Sequence, residues 1–125
     1  MSAEAVFSET LLNHLESPRN VGTLEPPAVT VRVENPICGD IMTLSAAVSG
    51  AVVSDVRFKV RGCTASIAAG SALTELLLGR HVSEVNAVGP DDVEAALDGL
   101  PNESKHAARL ASDAAFALSE RLASG

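Results

Sequence analysis

The chain has no tryptophan and no tyrosine, and only 3 phenylalanines. Its interior must therefore be assembled from Ala, Val, Leu and Ile, within a composition that is 46% hydrophobic. No apolar run approaches the ~20 residues needed to cross a bilayer, so the chain is soluble in character. Met1–Ala5 lack the positive start of a secretory signal and the Arg-rich look of a transit peptide, which makes the cytoplasm the expected location. Basic residues are scarce as well. There are 9 Lys and Arg against 16 Asp and Glu, a net charge of −7, and no basic stripe relieves the excess along the chain. Phosphate recognition runs on clustered Lys and Arg, so nucleic acid and membrane surfaces are not expected partners. The acidic residues read as a solvated surface, suited to a soluble protein that meets a basic partner.

Cysteine is the last scarcity. Only Cys38 and Cys63 are present, and in a reducing compartment such a pair reads as thiols or metal ligands rather than a disulfide. The length of 125 residues sets one domain, 1–125, with room for a single sheet-and-helix core and no repeats or long linkers.

Periodicity supplies the elements. A helix is expected from Ala3 to Glu16, with Val6, Phe7, Leu11 and Leu15 on one stripe, ending before the Pro18–Gly22 turn. Arg19 in that turn reads as part of a solvated connector or as a functional contact. Val29–Glu34 alternates as a strand. Met42, Leu44, Ala46 and Val48 form one face of a second strand. Val52, Val56, Phe58 and Val60 form one face of a third, opposite Val53, Asp55, Arg57 and Lys59, with Ser49-Gly50 as the hairpin turn. Thr64–Leu78 is a helix rich in small residues that ends at Gly79. His81–Ala87 is a short helix. Pro90 opens another that stops at Gly99, and Glu103–Ala123 closes the chain with Leu110, Ala114, Leu118 and Leu122 buried. The class is α+β: a three-stranded antiparallel sheet covered by helices.

Three turns carry chemistry, and they are read as converging on one metal or iron–sulfur site. Cys38 and Asp40 are two residues apart, so in an extended turn both side chains can point the same way, with Gly39 freeing the backbone between them. Cys63 opens the small-residue helix beside Arg61, a setting that favours the thiolate, the form that attacks electrophiles and binds metals. His106 lies near the start of the last helix, where an imidazole could turn inward. His14 and His81 read as surface or packing residues.

Glu34-Asn35-Pro36-Ile37-Cys38-Gly39-Asp40, Gly62-Cys63-Thr64-Ala65-Ser66 and Leu100-Pro101 leading to His106 resemble the signature segments of the NifU/IscU-type iron–sulfur cluster scaffold family. His14 followed by Pro18-Arg19-Asn20-Val21-Gly22 is similar to that family's opening motif. The likeness runs from about Leu12 to Leu122, and the short span between Cys63 and His106 has no room for the insertion of the SufU branch. The resemblance implies a protein that is not an enzyme. It would assemble a labile [2Fe–2S] cluster from iron and from sulfur delivered by a cysteine desulfurase, then pass it to Fe–S acceptor proteins. It also implies Cys38 and Cys63 as thiolate ligands, Asp40 as a labile oxygen ligand and His106 as an alternative ligand, with Cys63 the candidate persulfide carrier.

Two departures qualify this. The family's third cysteine, directly after the histidine, is Ala107 here, and the chaperone-recognition run reads Pro101-Asn102-Glu103-Ser104-Lys105, so no chaperone contact is carried over. Cys38, Asp40, Cys63 and His106 could close a tetrahedral Zn²⁺ site as well as hold Fe²⁺ or a less stable cluster. The alternative reading is a degenerate relative that holds Zn or Fe and docks on a desulfurase as a regulatory partner, without building clusters.

Overall fold

A computed structural model of the chain describes residues 7–124. In order, the elements are helix α1 (Glu9–Glu16), strands β1 (Val29–Glu34), β2 (Ile41–Ser49) and β3 (Val52–Arg61), and helix α2 (Thr64–Leu77). A 3₁₀ segment Val82–Ala87, helix α3 (Pro90–Ala96), a 3₁₀ turn Asn102–Ser104 and helix α4 (Lys105–Ser124) complete the chain. The strands form one antiparallel sheet in the order β1-β2-β3, as the alternation indicates. Helix α4 lies across β1 and β2, and α2 packs on β3 and α4. The core between them is aliphatic, and Phe58 is its one buried aromatic ring among the described residues. Gly70 is what lets α2 come so close: a Cβ there would stand 2.4 Å from Phe58 Cδ2.

Helix α1 is shorter than the sequence suggests. The Ser8 side chain accepts the Leu11 N–H at 2.9 Å and caps the helix there, satisfying one of the first-turn donors that a helix start leaves unpaired. Phe7 therefore precedes the helix and packs half-buried against the core, while Ala3–Val6 lie outside the described residues.

The third strand corrects the alternation. Its register slips between Ala47 and Val48: Ala47 faces Asp55 and Val48 faces Val53, which leaves Ser54 as the extra residue of a bulge. A one-residue insertion reverses the side-chain phase. Val53 is therefore fully buried with Val56 and Phe58, whereas Val52, expected on the inner face, is only half-buried.

The pleat also collects charge that is scattered in the sequence. Arg32 and Lys59 both stand opposite Thr43, with Arg57 opposite Ser45 and Arg61 opposite Ile41, so four cations point outward from the face that no described helix covers. A basic stripe absent from the linear chain exists in the fold. No described helix is long and apolar enough to cross a membrane.

Candidate functional site

The loop between β1 and β2 is organised by Asn35. Its N–H donates to the Asp40 carbonyl at 2.8 Å, its carbonyl accepts the Gly39 N–H at 2.7 Å, and its side-chain oxygen accepts the Ile37 N–H at 2.9 Å. Gly39 takes φ +78°, a left-handed conformation that glycine adopts without strain. The loop leaves Cys38 exposed and turns the Asp40 side chain inward, where the residue is 6% accessible.

Asp40 meets the start of α2. Cys63 is the N-cap residue of that helix. Its backbone N–H donates to Asp40 Oδ2 at 3.2 Å, and Ser66 Oγ donates to the same oxygen at 2.8 Å. A carboxylate at a helix start is favoured by the unpaired N–H groups there. Burial pushes the Asp40 carboxyl up, but hydrogen bonds from Ser66 and Cys63 and the nearby His106 ring outweigh it. The net effect holds Asp40 below the usual carboxylate range, so it is charged at neutral pH.

His106, in the first turn of α4, completes the group. Its Nε2 lies 3.3 Å from Cys63 Sγ and 3.8 Å from Asp40 Oδ2. Cys63 Sγ in turn lies 3.4 Å from Ser66 Oγ. One ligand atom each from Cys38, Asp40 and His106 fall within 4.8 Å of one another, close enough to share one ion. All four residues singled out in the sequence are thus brought to one rim of the molecule. Thiolate, carboxylate and imidazole donors together suit Zn²⁺ or iron, whereas Mg²⁺ and Ca²⁺ favour all-oxygen sets.

Two contributors escape sequence reasoning. Ser66, named there only within the Gly62–Ser66 segment and given no role, bridges Asp40 and Cys63. The available signal was its position three residues after a helix N-cap. Gly62 admits the carboxylate: a Cβ there would stand 2.4 Å from Asp40 Cγ. Ala107, by contrast, is fully buried. It follows His106 by ~100° around the helix axis and faces the core rather than the rim.

The remaining sequence candidates make local packing contacts. His14 is buried, with Nδ1 2.7 Å from Ser71 Oγ and Nε2 3.7 Å from Glu75. Arg19 donates its backbone N–H to Ser71 Oγ at 2.8 Å, and its guanidinium lies 3.5 Å from Glu75. Together they fasten the Pro18–Gly22 turn to α2. His81 caps the Val82–Ala87 segment by accepting the Ser83 N–H at 3.1 Å.

Comparison with known proteins places the chain in a family. The family model of the NifU-like N terminal domain matches residues 6–120. The chain is 38% identical over 109 residues to the iron-sulfur cluster assembly scaffold protein IscU 1 of Archaeoglobus fulgidus, covering 87% of this chain and 71% of the relative. It is 37% identical over 112 residues to the scaffold protein IscU of Escherichia coli K12, covering 86% and 87%. Among solved structures, the N-terminal part of a NifU-like protein from Brucella abortus superposes with TM-score 0.78 at 17% identity, covering 97% of this chain and 96% of that one. A putative SUF-system scaffold from Fervidobacterium islandicum superposes at 0.69 with 18% identity, covering 96% and 98%. At these identities the two likenesses speak to the fold alone.

Proposed function

Because the chain belongs to the NifU-like N-terminal domain family, we propose that it is an iron–sulfur cluster assembly scaffold, not an enzyme, with iron and sulfide as its cargo. The observation that carries this is the meeting of Cys38, Asp40, Cys63 and His106 from three separate segments at one rim. In this reading Cys38 and Cys63 bind as thiolates, and Asp40 and His106 supply an oxygen and a nitrogen. Harder donors in place of thiolate loosen an iron–sulfur unit, which suits a [2Fe–2S] cluster that must be handed on to acceptor proteins.

Sulfur would arrive from a cysteine desulfurase. Cys63 is the proposed carrier: its thiolate attacks the outer sulfur of the donor's persulfide, one S–S bond forms as the other breaks, and the donor leaves as a thiolate. Anaerobic reconstitution with Fe²⁺ and sulfide tests the site. We expect a coloured, oxygen-labile species that Cys38→Ala and Cys63→Ala each abolish. Equal colour in the double variant would reject the assignment.

A second reading rests on the composition of the tightest group. Cys38, Asp40 and His106 offer only one sulfur within 4.8 Å, and the place of a third thiol is taken by buried Ala107. Such a mixed set suits a resident Zn²⁺ or Fe²⁺ in a protein that docks on a desulfurase without building clusters. Metal analysis paired with reconstitution separates the two: bound metal with no colour on adding sulfide selects this reading.

A further inference from the structure

We propose that the face of the sheet that no described helix covers is a docking surface for an acidic segment of a protein partner. Four of the nine Lys and Arg residues, Arg32, Arg57, Lys59 and Arg61, point outward there. Two carboxylates, Glu34 and Asp55, share the face. The rest of the chain carries 5 cations and 14 carboxylates, so the charge is sharply divided between this face and everything else. Asp55 is paired with Arg57, but Arg32, Lys59 and Arg61 are exposed and in no ion pair among the described residues. Cations brought together in excess of carboxylates repel one another, and an anionic partner relieves that cost.

The row Arg32-Thr43-Lys59 spans the three strands, about 10 Å at ordinary strand spacing. With Ile41, Val60 and Arg61 these residues line a shallow depression. Half-buried Ile41 lies between Glu34 and Arg61 in the pairing, which provides an apolar contact among the charges. The patch matches a few carboxylates with an apolar side chain among them. A nucleic-acid duplex extends well past such a patch and meets the strongly acidic remainder, where its phosphates are repelled. The patch is also continuous with the rim already described. Arg61 adjoins Gly62-Cys63, and Glu34 adjoins the Cys38 loop. A partner seated on the sheet would therefore have its edge beside both thiols.

The test is an NMR titration of the isotope-labelled full chain, without iron or sulfide, so its outcome is separate from that of reconstitution. The probe is an acetylated Glu-Glu-Leu-Glu-Glu-Leu peptide, set against the same peptide with Gln for Glu and against a short DNA duplex. We expect the Glu peptide alone to shift the amides of Arg32, Thr43, Lys59 and Arg61. The triple variant Arg32→Glu, Lys59→Glu, Arg61→Glu should weaken binding at least about tenfold while retaining its thermal midpoint, because all three side chains are exposed. Salt raised from about 0.05 to 0.3 M should weaken it too. Shifts elsewhere, equal binding of the Gln peptide, no loss in the folded triple variant, or tighter binding of the duplex on this face would each overturn the proposal.

Discussion

Gly62 and Asp40 are in contact across two loops: the position a Cβ would take on Gly62 lies 2.4 Å from Asp40 Cγ and 2.6 Å from its Oδ1. The carboxylate reaches the Cys63 N–H and the Ser66 hydroxyl only because residue 62 has no side chain.

Gly62→Ala should therefore displace Asp40. Overpacking of a tight site costs about 1–3 kcal/mol, and the two donors lose a charged acceptor as well. A lower urea midpoint and a loss of iron loading, measured together, check this. An unchanged midpoint with unchanged loading would mean that the loop yields without cost.

Ala107→Cys tests where the missing thiol would point. Ala107 is fully buried, so the introduced sulfur should pack in the core and resist alkylation in the native state, while exposed Cys38 reacts. Reconstitution colour should rise by less than about twofold, and stability should fall by about 1–3 kcal/mol. Rapid alkylation of the introduced thiol would show that the first turn of α4 rotates to present it.

Gly70→Ala pits helix propensity against packing. The substitution favours the helix by about 1 kcal/mol, yet the new methyl would stand 2.4 Å from the Phe58 ring, which is itself buried. Packing should prevail, with a net loss of about 1–2 kcal/mol in thermal or urea unfolding.

The pH dependence follows from His14. Burial lowers its basicity below the ordinary 6.5, Arg19 lowers it further, and Glu75 only partly opposes them. The unfolded chain thus binds a proton that the folded chain refuses. This contribution to stability is complete above pH 6.5 and is lost as pH falls through the lower folded value. Urea midpoints measured from about pH 8 to 5 should decline on the acid side, and His14→Gln should flatten that decline.

Much of this was legible in the sequence, for identifiable reasons. β1 could be read at Val29–Glu34 because alternation in a half-buried strand is a direct record of its two faces. Three of the four candidate residues stood out because Pro36, Gly39 and Gly62 mark turns next to thiols and an acid. The phase of Val53 was hidden because a bulge is a pairing event between strands, and nothing in Val52-Val53-Ser54 announces it. Ser66 and Gly62 were missed as site residues because their part is played against Asp40, more than twenty residues earlier in the chain. The basic face was missed because Arg32 meets Lys59 only through an intervening strand.

The outer rim of β3 is covered at two places. Phe58 exchanges hydrogen bonds with Asn20 and Gly22, while Val53 does so with Gly79 and Arg80, and Val82 donates to the Ala51 carbonyl. Unpaired strand rims recruit further strands, the first step toward fibrils. On this side the longer stretches are occupied, so templated polymerisation along β3 would first require the Asn20–Gly22 and Gly79–Val82 covers to peel away.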